Sequence, residues 1–524
     1  MRLPIDQATL LRCQELSAIV AARVYDDLGR LTSVGLERAV LRLLGVEGAD
    51  ADGVPWVNRF VDRITAEGGL GRGAAFWFCS AAAHSDLPPA ELARAVVDAR
   101  IDLAALPAVT PARREAAAAA LIASTIGRIR RQREFRAAAV RRWGERTTPW
   151  LYVIVATGNI HEDVVQARAA VRAGADVIAV IRSTAQSLLD YIPEGATTEG
   201  YGGTFATQEN FRIMRAALDR AGEAEGRYVR LTNYASGLCM AEMAALGAVE
   251  RLDMMLSDSM YGILFRDINM RRTLIDQAFA RLVQAAAGIV INTGEDNFLT
   301  TDDAFEAAHT VLASQFVNRA LAHRSAMADR LIGLGHAFEM DPGLENGLLY
   351  EMADALLSRE CFPDCPVKFM PPTRYKTGDI FFAHVMDALF ALTSVATRQH
   401  IHLVGVLTEG IHTPLLHDRQ LAVEAARYVH RYARDFAAEF TPREDGVIAT
   451  RAAEVLARAA GLLDRLAERG LMASLADGVF AATRRSPDGG RGADGVVPMA
   501  PDYWNPLLTP LAEEAIRDDG PPVR

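Results

Sequence analysis

The amino-acid sequence predicts an α/β fold, a (β/α)8 TIM barrel with helical N-terminal and C-terminal additions. Three observations lead there. Between Trp150 and Glu409 an apolar stretch runs eight times into a polar cluster and then into a helical pattern. The strand candidates end in arginines, serines, carboxylates and a lysine, and such barrels carry their active sites at the C-terminal ends of their strands. Strands separated each time by a helix pair most economically in parallel, and eight such units match a closed barrel better than an open sheet.

Residues 1–148 read as a helical N-terminal region. Ala-rich amphipathic stretches recur at Gln7–Leu28, Leu36–Leu44 and Ala90–Leu106. An Arg-rich helix is expected from Ala112 to Trp143. Its arginines are dense enough for RNA, but Glu115, Glu134 and Glu145 lie nearby and favour a solvated face. A surface for a partner subunit is the intermediate reading. Pro149 and Trp150 mark entry to the barrel, residues 149–440.

Within the barrel, strands are expected at 151–157, 176–184, 227–236, 252–258, 288–296, 335–340, 366–371 and 400–408. Helices are expected at about 161–174, 208–224, 239–248, 270–286, 302–332, 346–360, 380–397 and 419–438. Thr207 before Gln208-Glu209-Asn210 and Thr301 before Asp302-Asp303 are helix starts, with acidic groups where the helix dipole favours them. Residues 441–524 form a helical C-terminal extension and tail, with a helix at Val447–Glu468. The Gly-rich stretch 484–496 lacks the Lys-Ser/Thr of a P-loop and reads as a surface loop or a tail docking on another chain.

Composition narrows the function. A net charge of −10 disfavours general nucleic-acid binding. No apolar run is long enough to cross a bilayer, and Met1-Arg-Leu-Pro-Ile-Asp6 lacks a signal-peptide apolar region. Five scattered cysteines fit a reducing cytoplasm rather than a disulfide framework. Of the 56 basic residues only Lys368 and Lys376 are lysine. Lysine alone of the two can shed its proton or form an imine, so both are candidates for a role.

The strand tips suggest a ligand. Arg182, with Ser183, Thr184, Gln186 and Ser187, offers a guanidinium fork, hydroxyls and an amide suited to phosphate. The alternative is a strand-end arginine paired with a carboxylate. The stretch 197–204 is glycine-rich and either closes over a ligand or is a plain connector. Further tips give Asn233-Tyr-Ala-Ser236, Ser257-Asp-Ser-Met-Tyr261, Arg266-Asp267 and Asn292-Thr-Gly-Glu-Asp-Asn297. A serine can hydrogen-bond a pyridine nitrogen and a tyrosine can pack against an aromatic ring. Lys368, pointing inward, would need Asp296 or Glu409 as partner. Lys376 reads as a solvated loop residue. His400-Gln-His402 has the spacing of metal ligands on one strand face, yet it precedes the apolar run and so falls at the wrong end of the barrel. Cys361 and Cys365 have no third cysteine at short range, and no G-x-S-x-G is present.

These blocks are familiar. Ile181–Tyr191, Gly195–Thr204, Tyr261–Met270, Asn292–Asn297 and Gly335–Asp341, with Leu36–Gly45 near the start and Asp488–Gly495 near the end, resemble the large (α) subunit of lysine 5,6-aminomutase (D-lysine or β-lysine 5,6-aminomutase). The resemblance covers nearly the whole chain. It implies an enzyme, an intramolecular aminotransferase of the isomerase class, that moves the terminal amino group of lysine or β-lysine to the adjacent carbon by a radical 1,2-shift. It implies pyridoxal 5′-phosphate and adenosylcobalamin as cofactors. It also implies a small β subunit as partner, carrying the cobalamin domain and the Schiff-base lysine, in an α2β2 assembly. No D-x-H-x-x-G cobalamin motif occurs in this chain, in agreement.

By the same resemblance, Arg182 and Ser187 are phosphate ligands with Ser183 and Gln186 beside them. Ser236 partners the pyridine nitrogen, Tyr261 packs on the ring, and Arg266 lies close to cofactor or substrate. Asp296, Asn297, Lys368 and Glu409 bind the charged ends of the amino acid, with Tyr261, Asp296 and Lys368 nearest the chemistry. The phosphate would sit after the second and third strands, not after the seventh and eighth as in many barrels. Three alternatives remain: an ornithine 4,5-aminomutase-like enzyme, a metal-dependent TIM-barrel hydrolase, and a non-catalytic barrel subunit.

Overall fold

The structure is a computed structural model that describes residues 3–181, 188–200, 202–234, 237–258 and 260–517. After a short strand β1 (Leu31–Ser33), eight parallel strands close a barrel in sequence order. They are β2 (Trp150–Ile154), β3 (Val177–Ile181), β4 (Arg230–Tyr234), β5 (Met254–Leu256), β6 (Val290–Asn292), β7 (Ile332–Ala337), β8 (Val367–Met370) and β9 (Ile401–Leu403). The cylinder closes where Trp150, Leu151 and Tyr152 of β2 pair with Ile401, His402 and Leu403 of β9. The strands are buried on both faces because helices cover the outside and side chains fill the inside, and most of their residues are apolar. A helix follows each strand, from Ile160–Ala173 after β2 to Leu416–Tyr432 after β9.

Helix starts follow the expected capping chemistry. Thr207 accepts from the Asn210 amide, and Asn159 caps Ile160–Ala173. One cap differs: the helix expected from 302 begins at Ala304 with Asp303, not Thr301, as its cap. That helix ends at Arg324, not 332, because Ala326 turns into the left-handed region (φ 59°). The chain then enters β7 at Ile332, three residues before the expected start. β9 is shorter than the expected 400–408. Beyond Leu403 the chain leaves the sheet, and the Val406 amide donates to Glu409 Oε1 (3.2 Å) instead of to a strand.

The Arg-rich helix, Pro111–Trp143, is not simply a solvated face or a partner surface. One row of its arginines fastens the barrel of the same chain. Arg128 pairs with Glu250 (2.5 Å), Arg133 donates to the Ala286 carbonyl (3.1 Å), and Arg136 reaches Asp253 (2.8 Å) and the carbonyls of Leu252, Ala287 and Gly288. Arg141 and Arg142 stay exposed. A guanidinium offers a planar fork of donors, which suits the end of a strand and several free carbonyls at once.

The C-terminal stretch also docks on its own chain. Arg491 N donates to the Asp267 carbonyl (2.7 Å), Asn269 N donates to the Arg491 carbonyl (3.0 Å), and Asn269 Nδ2 donates to Gly489 (2.8 Å). The stretch 484–496 thus lies at the surface, as expected of a surface loop, and is fastened to the chain's own Asp267–Asn269. β10 (Val496–Pro498) then pairs antiparallel with β1. Helix Val447–Arg469 packs on Gln7–Leu28, Ala304–Arg324 and Gly347–Cys361, so both additions share one hydrophobic core with the barrel. No helix among the described residues is long and apolar enough to cross a membrane.

Candidate active site

The C-terminal mouth of the barrel opens into a cavity of about 880 Å³. Its walls come from the ends of β2, β4, β8 and β9 and from the segments beyond β2, β3, β5, β6, β8 and β9. Tyr261, Arg266, Asn297, Lys368 and Glu409 all line it. The structure therefore gathers at one mouth the described residues that sequence reading had assigned to separate strand tips. Arg182, Ser183, Gln186, Ser187 and Ser236 lie outside the described residues.

Tyr261 and Arg266 stand on a one-and-a-half-turn helix, Tyr261–Arg266, that was expected only as a polar strand tip. Being five positions apart, they meet across it. Arg266 Nη2 donates to the Tyr261 hydroxyl (3.1 Å), and its guanidinium carbon sits 5.4 Å from the ring centroid. Nη1 donates to the Phe265 carbonyl (2.9 Å), while Nε is buried without a partner among the described residues. The Tyr261 ring packs against Phe265 at 5.1 Å, which holds it as a wall. No ion pair neutralises Arg266 among the described residues.

Beyond β6, Gly294 turns the chain into the 3-10 helix Glu295–Thr300. The Gly294 amide donates to Asp258 (2.6 Å) and Asn297 Nδ2 donates to Asp296 Oδ1 (2.8 Å). The turn lies so close to β7 that a Cβ on Gly335 would stand 2.7 Å from the Thr293 carbonyl oxygen and 3.1 Å from Asp296 Cγ. Asp296 is thereby pressed into the barrel interior, where Lys368 of β8 meets it at 2.7 Å. Both side chains are buried. Burial works against the Lys368 ammonium, but the Asp296 carboxylate outweighs it and raises the lysine's pKa above its ordinary value. We take the pair as an ammonium and a carboxylate at neutral pH. Asp296 itself is pushed upward by burial, and Lys368 opposes that push. Of the two partners expected for Lys368, the structure pairs it with Asp296 and not with Glu409.

Glu409 belongs instead to the other lysine. Lys376, expected in a solvated loop, is buried, with its ammonium 2.8 Å from Asp387 and 3.2 Å from Glu409. A buried cation needs such anions, and here two supply it. The loop that carries it is pinned by Glu339, which accepts from Thr373 N (2.9 Å), Thr373 Oγ1 (2.7 Å) and Arg374 N (3.2 Å). The one available signal in the sequence was the scarcity of lysine; nothing local marked Asp387 or Glu339.

The glycine-rich segment beyond β3 is a built wall rather than a slack connector. Gly200, Gly202 and Gly203 line the cavity. Thr197 N donates to Asn210 Oδ1 (3.1 Å), Thr207 Oγ1 donates to the Gly195 carbonyl (2.7 Å), and Gly158 N donates to Thr204 (3.0 Å).

His400 and His402 do not line the mouth cavity. His402 is buried and stacks on Phe390 at 4.4 Å with His430 at its edge, outside the barrel wall. Burial depresses His402 well below the ordinary range and His400 to about 3. Among the described residues no group of three or more His, Cys, Asp or Glu is arranged to hold a metal ion. The hydrolase alternative thus has no described ligand set.

Known proteins resemble this chain over nearly its whole length. The family model described as "D-Lysine 5,6-aminomutase TIM-barrel domain of alpha subunit" matches residues 3–509. The lysine 5,6-aminomutase alpha subunit of Acetoanaerobium sticklandii is 49% identical over 507 residues, covering 97% of this chain and 98% of that one. Its counterpart from Fusobacterium nucleatum is 48% identical over 508 residues, with the same coverage of both chains. A more distant similarity, 28% over 267 residues, reaches 51% of this chain and 36% of the D-ornithine 4,5-aminomutase subunit beta of A. sticklandii. With a closed eight-stranded barrel, an inward lysine–aspartate pair at its mouth and near-full-length similarity of this order, the chain belongs to the family of lysine 5,6-aminomutase alpha subunits, isomerases that shift an amino group.

Proposed function

We propose that this chain binds pyridoxal 5′-phosphate and a lysine isomer in the barrel mouth, and works with a small partner subunit that brings adenosylcobalamin and a Schiff-base lysine. The observation that carries the reading is the joint exposure of Tyr261, Arg266, Lys368 and Glu409 to one cavity. Its volume of about 880 Å³ falls in the range of cofactor sites. The donor set fits a phosphorylated pyridine with an amino acid beside it: aromatic walls at Tyr234 and Tyr261, the Arg266 guanidinium, which among the described residues has no ion pair and a buried Nε without a partner, and a protonated lysine.

Pyridoxal phosphate and adenosylcobalamin, when bound, supply the radical amino shift; the protein supplies position, charge and dryness. Arg182 and Ser187, with Ser183 and Gln186, are assigned to the phosphate, and Ser236 to the ring nitrogen. Tyr261 packs against the ring and steadies Arg266 through its hydroxyl. Lys368 keeps a proton on Nζ and offers its remaining N–H donors to an anionic oxygen, while Asp296 fixes it in place. Asn297 holds the Asp296 carboxylate from the other side. Glu409 presents a carboxylate to a substrate ammonium. Both of this chain's lysines are engaged by carboxylates, which accords with a Schiff-base lysine on the partner.

The test is co-expression with the small subunit and an assay of amino migration with both cofactors. Turnover of D-lysine, L-β-lysine or L-lysine ahead of ornithine is expected, and no turnover of any lysine isomer overturns the reading. Arg182→Ala should weaken retention of pyridoxal phosphate about ten- to a hundredfold, the usual worth of a charge-assisted bond to phosphate. Unchanged cofactor occupancy removes Arg182 from the phosphate site.

A further inference from the structure

Lys376, Asp387 and Glu409 form a second charged cluster at the mouth, separate from the Lys368–Asp296 pair. They come from three elements: the loop beyond β8, helix Ile380–Ala396, and the loop beyond β9. The space for them is built in. A Cβ on Gly405 would stand 2.1 Å from Asp387 Oδ1 and 2.9 Å from Lys376 Nζ, so only glycine there leaves the pair its seat. Both oxygens of Glu409 are held, Oε1 by the Val406 amide (3.2 Å) and Oε2 by Lys376 Nζ (3.2 Å). Lys376 Nζ also donates to the Val406 carbonyl (3.4 Å), which ties ammonium and loop together. The Lys376 side chain is 1% exposed, whereas Glu409 keeps 29% of its surface open.

Two carboxylates around one ammonium leave one net negative charge. It lies at the open member, Glu409, in a cavity whose other lysine is already neutralised by Asp296. Without Lys376 a glutamate on a loop would sample several rotamers, and fixing it beforehand lowers the cost of binding a cation. Without Asp387 the lysine would neutralise Glu409 and cancel its pull.

We propose that Lys376 and Asp387 are positioning residues that hold Glu409 as a rigid, still-anionic seat for the free ammonium of the diamino acid, and so set the chain length accepted. This rests on the reading of the cavity as the substrate site.

The experiment uses the complete enzyme with its partner subunit and both cofactors. Lys376→Met and Asp387→Asn should each raise KM for the preferred lysine isomer about tenfold or more, with kcat changed less than about threefold, as for loss of binding made equally in ground and transition states. The preference for lysine over ornithine should narrow. Lys376→Arg should recover part of the KM. Because the three act as a unit, Lys376→Met added to Glu409→Gln should raise KM no further than Glu409→Gln alone. Asp387→Asn nearly preserves shape, so it carries the test if Lys376→Met fails to fold. An unchanged KM in Asp387→Asn, or fully additive effects in the double variant, overturns the proposal. A wild-type enzyme that turns over no lysine isomer instead defeats the aminomutase reading itself.

Discussion

Lys368→Met should cost this enzyme nearly all its activity, with kcat/KM down at least about a hundredfold, the order expected when a charged donor to substrate or cofactor is lost. The same change strands the Asp296 carboxylate in the barrel interior. Breaking a buried pair by removing one partner typically costs about 3–5 kcal/mol, less whatever Asp296 recovers by taking up a proton. A paired change, Lys368→Met with Asp296→Leu, separates the two effects. Replacing a buried ion pair by apolar groups of like volume is often neutral for stability, so the fold should recover. Activity should not. Thermal denaturation and steady-state kinetics read the two quantities, and near-wild-type turnover by Lys368→Met would show that its ammonium does not touch the reacting species.

The second large effect falls on stability, far from the mouth. Asp253, just before β5, accepts from Arg136 Nε (2.8 Å), Arg215 Nη1 (2.7 Å), the Tyr228 hydroxyl (2.7 Å) and the Leu231 amide (2.8 Å). It is the point where the long Arg-rich helix, the helix Gln208–Glu225 and β4 are tied to the barrel floor. Asp253→Ala removes all four bonds and leaves two guanidinium groups facing each other, at a cost of about 3–5 kcal/mol. Burial opposes the Asp253 carboxylate, but Arg215 and Arg136 win, and its pKa lies below the ordinary value. Its contribution is therefore complete above the unfolded pKa of about 4 and is lost as pH falls through the lower folded pKa. Asp253→Asn should be markedly less stable than wild type at pH 7, and the gap should shrink in strong acid. A gap of equal size at both pH values would show that the carboxylate's charge contributes nothing.

The contrast between these two sites shows what was legible beforehand. Lys368 and Asp296 stood out because a rare lysine lay within one strand candidate and an acidic cluster followed another, and in a barrel all strand ends meet at one mouth. Asp253 did not stand out, because its partners lie at sequence separations from 22 to 117 and only folding brings them together. The Arg-rich helix was misread for the same reason. Its arginines look solvated until the carbonyls ending the helix Met270–Ala287 and the carboxylates of Glu250 and Asp253 are placed beneath them. Lys376 was assigned to solvent because its neighbours in sequence are polar, and its anions come from a helix and a loop further along. The short helix Tyr261–Arg266 was missed because six residues of mixed character carry too little periodicity to declare it.

By itself the sequence determined the alternation of strand and helix, the barrel that follows from it, and the chemical types at each strand end. Those depend on local patterning and on handedness rules that hold for any such chain. Only the tertiary structure decided which lysine meets which carboxylate, where each addition docks, and which groups hold Glu409 at the mouth. Such pairings turn on ångström-scale separations between residues distant in the chain, and electrostatic energy in a desolvated interior changes steeply over that range.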